Sequence, residues 1–138
     1  MFEHCLYFNT TALARQLEKE WSEAFAPFGL TPPQAFMLRT VLEKPGLLQR
    51  EIAESMAISR PTATRALDGL AAKGFIQRTS SERDGRERAV QPTPVAIEIH
   101  ADLNEASRAV TARLQKELGP DVFADTVSKI RGVRSALK

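Results

Sequence analysis

Apolar residues recur three or four positions apart through most of this chain, the spacing that lines one side of an α-helix. The first run is Phe2, Leu6, Leu13, Leu17, Trp21, Phe25 and Phe28, and Gly29 stops it, as a glycine past a helix end commonly does. Thr31-Pro32-Pro33 then offers a cap and a first-turn proline for a second helix, with Ala35, Leu38, Val41 and Leu42 as its buried stripe. Pro45-Gly46 closes that helix. A short third one, Leu48 to Met56, has Leu48, Ile52, Ala53 and Met56 on one side. After a tight turn at Ala57-Ile58, Ser59 caps a fourth helix that accepts Pro61 in its first turn. Its Ala63, Ala66, Leu67 and Leu70 point one way and its Arg60, Thr64, Arg65 and Asp68 the other, until Lys73-Gly74 ends it.

The period then changes. Phe75 to Arg78 reads as a strand and Ala89 to Gln91 as its returning partner, with a polar stretch from Ser80 to Arg88 between them and Asp84-Gly85 as the turn. Thr93-Pro94 begins a long helix carried by Ile97, Leu103, Ala106, Val110, Leu114 and Leu118. Gly119-Pro120-Asp121 breaks the chain, and Val122, Phe123, Val127, Ile130 and Val133 define a last helix. No repeat, low-complexity tract or long linker divides these elements, and 138 residues suit one domain better than two. The predicted fold class is mostly α with a small β-hairpin.

Composition narrows the function. With 43% hydrophobic and 26% charged residues the chain is globular, and a net charge of +2 is too small to argue for nucleic acid by itself. The lone Cys5 excludes an intramolecular disulfide and leaves too few thiolates for a structural zinc site. His4, Cys5 and His100 have no close ligand spacing, so no metal and no other cofactor is expected. No apolar run nears the roughly 20 residues that span a bilayer, and the N-terminus lacks the basic start of a signal peptide. A soluble, cytoplasmic protein without membrane contact is expected. No glycine-rich phosphate loop or Gly-x-Ser-x-Gly occurs, and carboxylates such as Glu18 and Glu20 lie on a solvated helix surface, which argues against an enzyme.

Charge placement is more telling than its sum. Two helices joined by a three- to four-residue turn suggest a helix-turn-helix, and a hairpin directly after the second helix makes it a winged one. Between Arg60 and Arg88 the basic residues are Arg60, Arg65, Lys73, Arg78, Arg83, Arg86 and Arg88, opposed only by Asp68, Glu82, Asp84 and Glu87. Most of these arginines fall on the helix's exposed face or the hairpin tip, where phosphates would be met.

Three runs carry a family resemblance: Gln49-Arg50-Glu51-Ile52-Ala53-Glu54, Ile58-Ser59-Arg60-Pro61-Thr62-Ala63-Thr64-Arg65-Ala66-Leu67-Asp68-Gly69-Leu70, and Ala72-Lys73-Gly74-Phe75-Ile76. With the wing sequence Arg83-Asp84-Gly85-Arg86-Glu87-Arg88, which fits an Asp-x-Arg pattern, the chain resembles the MarR family of winged helix-turn-helix regulators. The resemblance implies one domain over residues 1–138, with dimerisation helices at about 1–29 and 95–138 around a winged helix-turn-helix at about 31–94. It implies a homodimeric repressor on a pseudo-palindromic operator in double-stranded DNA. Ser59, Arg60, Thr62, Thr64 and Arg65 would approach base edges and phosphates, with Arg83 and Arg88 beside them in the wing. Arg86 would enter the minor groove, and Asp84 would orient a neighbouring arginine.

Three positions depart from the family pattern. Leu48 stands where a Ser or Thr cap usually starts the third helix, a loss of about 1 kcal/mol. Ala57 stands where glycine is common, and at positive φ it would be mildly strained. Pro92 replaces an apolar residue and predicts a short returning strand.

Two further expectations concern assembly and signal. Phe2, Leu6, Trp21, Phe123, Val127, Ile130 and Val133 exceed what so small a winged helix can cover, and a second copy is the simplest cover. For the signal two readings stand. Cys5, with Tyr7 near it, resembles the N-terminal cysteine of the family's peroxide-sensing branch, and a helix N-terminus or a neighbour such as His4 favours the reactive thiolate. Alternatively a small apolar or aromatic effector fills a pocket between the dimer helices and the DNA head, lined by Trp21, Phe25, Phe28, Phe36 and Met37. The rival to the whole reading is a winged helix used for protein contact, for which an apolar or acidic recognition face and salt-insensitive binding are expected.

Overall fold

A computed structural model describes residues 1–80 and 88–138. The first helix, α1 (Leu6–Phe25), starts after Phe2, because Cys5 sits in extended backbone as its cap, its Sγ accepting from the Phe8 N–H at 3.5 Å. Phe2 instead packs beside Phe8, ring centroids 5.5 Å apart. The α-helix ends at Phe25, a 3₁₀ turn carries Ala26 to Phe28, and Gly29 at φ 68° reverses the chain.

The next helix, α2 (Pro32–Glu43), opens with a full capping box: the Gln34 N–H donates to Thr31 Oγ1, and Gln34 Oε1 accepts from the Thr31 N–H. Between α2 and the third helix lies a two-residue strand, β1 (Leu47–Leu48), which the apolar pattern did not announce. Leu48 then caps α3 (Gln49–Ser55) with no acceptor in its side chain, but its N–H donates to Glu51 Oε1 at 2.9 Å and the side chain is fully buried. The turn that follows holds Ala57 at φ 56°, the left-handed conformation expected of that position.

Ser59 caps α4 (Arg60–Ala72), and the chain then enters β2 (Ile76–Ser80) and β3 (Arg88–Pro92). The sheet is antiparallel in the order β1-β3-β2, so β1 turns the expected hairpin into three strands. The returning strand is longer than Pro92 suggested: Pro92 pairs with Ile76 as its last residue. Thr93 N donates to Phe75 O, so the proline nitrogen points to the opposite edge, which β1 does not reach.

Thr93 caps α5 (Pro94–Leu118), and Gly119 at φ 86° turns the chain into α6 (Pro120–Ala136). Inward residues of α2, α3, α4 and the sheet, among them Leu38, Val41, Ile52, Leu67, Leu70 and Val90, form one core with Phe25 of α1 and Leu103 of α5. Ile97 and Leu118, expected inside, are exposed, while Ala96, Leu103 and Val110 hold α5 to the core. No residue of α6 is buried.

Candidate nucleic-acid interface

The interface is built on α4, whose N-terminus is set by a two-way contact. The Thr62 N–H donates to Ser59 Oγ at 3.3 Å, while the Ser59 and Thr62 hydroxyls lie 2.9 Å apart. Ala63, Leu67 and Leu70 fix the inner face in the core, and this leaves Ser59, Arg60, Thr62, Thr64 and Arg65 exposed together on the outer side. The helix N-terminus adds partial positive charge to that face. Thr64 is exposed and spends its hydroxyl proton locally, donating to Arg60 O at 3.0 Å.

Two contacts hold α4 in place. Lys73 Nζ donates to Gly29 O at 2.5 Å and to Gln34 Oε1 at 2.9 Å, joining its end to the start of α2. Arg78 of β2 lies on the sheet face that also presents Ile76, and its Nη2 donates to Asp68 Oδ1 at 2.7 Å and to Thr64 O at 3.3 Å. Sequence reasoning counted Arg78 among the basic residues of this stretch and Asp68 among the few acids opposing them, and missed that they bind one another. Arg88 is exposed at the start of β3, opposite Ser80. Arg83, Asp84 and Arg86 lie outside the described residues.

On the other side of α2 a cleft of about 780 Å³ opens between α2, α3 and α5. Arg39 forms part of its wall: the guanidinium lies over the Phe36 ring, 5.1 Å from the centroid, and donates from Nε to Asn104 Oδ1 at 2.8 Å and from Nη1 to Ser107 Oγ at 3.1 Å. Burial pulls the Arg39 pKa below its usual range, Glu43 opposes this and Arg108 adds to it; an arginine remains cationic throughout. Of the residues expected to line an effector pocket, Phe36 does. Phe25 and Met37 are instead sealed in the core, Phe25 edge-on to Phe36. Trp21 is half-buried against the same core, with Nε1 donating to Ser107 Oγ at 3.1 Å, so its own chain covers part of it. Cys5 and Tyr7 are exposed at the start of α1, away from this cleft.

A model of the MarR family matches residues 28–87, from the end of the 3₁₀ turn through both helices of the helix-turn-helix and past β2. Residues 28–87 form a MarR-family domain. Among curated relatives of this chain is YybA of Bacillus subtilis, an uncharacterised helix-turn-helix transcriptional regulator, 33% identical over 88 residues. Another is MdtR of the same organism, a transcriptional repressor, 33% identical over 75 residues. The alignments span 64% and 54% of this chain but only 59% and 48% of those relatives. Among solved structures, the repressor CouR bound to a 23-mer DNA duplex superposes with a TM-score of 0.88 at 25% identity, covering 96% of this chain and 94% of its own. The MepR–DNA complex of S. aureus gives 0.86 at 18% identity, over 97% and 99%. No helix among the described residues is long and apolar enough to cross a membrane.

Proposed function

We propose that this chain, with its MarR-family domain, is a sequence-specific transcriptional regulator, a repressor that binds a pseudo-palindromic operator in double-stranded DNA as a homodimer, and not an enzyme. The observation that carries this reading is the outer face of α4. Arg60, Thr62, Thr64 and Arg65 stand exposed there beside a capped helix N-terminus, a basic and hydroxyl-bearing surface of the kind a recognition helix offers the major groove. The likeness to CouR and MepR in complex with DNA supports it. The winged helix as a protein-contact module predicts an apolar or acidic face instead.

A second copy accounts for the exposed apolar residues of the terminal segments, among them Phe2, Leu6, Val127, Ile130 and Val133. Two-fold symmetry then sets two α4 helices on half-sites roughly 34 Å apart, one turn of DNA. As unit boundaries, dimer helices at about 1–29 and 95–138 and a DNA head at about 31–94 fit this assembly. Its place of work is the bacterial cytoplasm, with the DNA.

For the signal, the Arg39–Phe36 cleft favours a small aromatic effector over an oxidant, since it offers an aromatic wall, a fixed cation and hydroxyl groups. The regulator PcaV in complex with its natural ligand, TM-score 0.78 at 24% identity, supports an effector in this fold.

The test is fluorescence anisotropy on the DNA upstream of the protein's own coding sequence, against a scrambled duplex, with selection from random duplexes if neither is preferred. Tight, salt-sensitive and sequence-preferring binding is expected. Arg65→Ala should weaken it by about 1–3 kcal/mol if Arg65 grips a base edge bidentately. Binding that ignores both sequence and salt would sink the reading. Loss of binding in organic hydroperoxide that Cys5→Ser abolishes would transfer the signal from the cleft to Cys5.

A further inference from the structure

An inward-facing arginine on a small sheet is unusual, and its surroundings say what it does. Arg78 pairs across the sheet with Val90, which is fully buried, so its stem lies on the core face of the wing, next to α4. Its side chain is only 14% exposed, and Nε is buried with no hydrogen-bond partner among the described residues. Its Nη2 grips α4 at two successive turns, the Thr64 carbonyl and the Asp68 carboxylate.

Stability does not explain this arrangement. Asp68 is 61% exposed, so water screens its side of the pair. An apolar side chain of similar volume would satisfy such a position as well or better, because the arginine loses water and leaves one donor unpaired. What an apolar residue cannot supply is a directional tie. Hydrogen bonds from one guanidinium to two turns of a helix fix the helix's rotation and its distance from the strand. Thr64, whose carbonyl is gripped, adjoins Arg65, and β2 leads from Arg78 into the wing.

Resting on the DNA-binding reading above, we propose that Arg78 is a positioning residue: with Asp68 it locks the wing to the recognition helix so that both meet the DNA in one register. Arg78 then touches no phosphate. Asp68 acts through Arg78 and not by contact with a base.

The experiment uses the full-length protein and four variants, Arg78→Met, Arg78→Lys, Asp68→Asn and the Arg78→Met/Asp68→Asn pair. Binding to the selected operator and to a scrambled duplex is measured across a salt series well below the melting temperature. Circular dichroism confirms that each variant is folded. Arg78→Met is expected to lower the operator-to-scrambled affinity ratio about tenfold, with Asp68→Asn close behind and the pair no worse than the worse single. Scrambled binding and the slope of log affinity against log salt should stay at the parent's values, since no phosphate contact is lost; Arg78→Lys, which keeps the charge and one bond, should fall between.

A slope flattened by about 0.9 in Arg78→Met would make Arg78 a phosphate contact and overturn the proposal. Losses that add in the pair, or variants that bind as the parent does, would overturn it while leaving the DNA reading intact. If Arg78→Met does not fold, Asp68→Asn and Arg78→Lys decide on the same criteria. A parent that prefers no duplex removes both the DNA reading and this inference with it.

Discussion

Replacing Leu48 by serine sets two local effects against each other. Serine would give α3 the side-chain cap it lacks, a gain of about 1 kcal/mol. Against that, Leu48 is fully buried where β1 pairs with β3, opposite Ala89, and truncating a sealed leucine costs about 2–5 kcal/mol in transfer and cavity terms together. The half of the capping box that survives in the parent, the Leu48 N–H on Glu51 Oε1, uses the backbone and is indifferent to the change. The net expectation is a loss of about 1–4 kcal/mol, or a fall in Tm of roughly 4–16 °C at the scale of a chain this size. Leu48→Ala keeps the packing loss without the cap and should lie about 1 kcal/mol lower still. Thermal and urea melts of all three proteins at one fixed concentration provide the comparison. A serine variant as stable as the parent would refute the reasoning, because it would mean that burial at the β1–β3 junction contributes no more than a single cap.

Three shorter predictions follow from the same contacts. Ser107→Ala removes the acceptor shared by Trp21 and Arg39, and should cost about 1–3 kcal/mol while shifting the emission of the chain's single tryptophan; an unmoved spectrum would mean that the bond does not hold Trp21 in solution. Ser59→Ala should destabilise by about 1 kcal/mol in a urea melt through loss of the α4 cap, and no change would count against the cap. A Cβ on Gly69 would lie 2.6 Å from Gln34 Nε2, so in Gly69→Ala the Gln34 amide must shift, and the gain should fall short of the roughly 1 kcal/mol that helix propensity offers. In a Gln34→Ala background the same change should deliver that full gain, and an equal effect in both backgrounds would disprove the clash.

Much of this fold is legible in the sequence because its helix starts are chemically explicit. Thr31, Ser59 and Thr93 each precede a proline in the first turn or just inside it, and all three cap as read. Even the strain at Ala57 follows from its place in a tight turn. Gln34 stands three residues after Thr31, at the spacing of a capping box, with two prolines between them. β1 was not readable, since two leucines have no period and their partner lies about forty residues away. The same limit applies to the site. The exposed face of α4 follows from helical periodicity, whereas Arg78 breaks the rule that charge faces water and is understood only beside Asp68. Phe25, Trp21 and Met37 show the converse: aromatic and sulfur side chains at helical spacing look alike whether they line a cleft or fill a core, and only packing separates them.

The last helix carries a consequence of a different kind. With no buried residue of its own, α6 gains nothing from the protomer's core beyond its contacts with α5. A helix of 17 residues with so little tertiary support is marginal in water. In the homodimer proposed above, its helicity is therefore a property of the protein's concentration as much as of its sequence. On dilution of such a dimer the C-terminal segment should be the first to lose ellipticity and the first to be cut by protease.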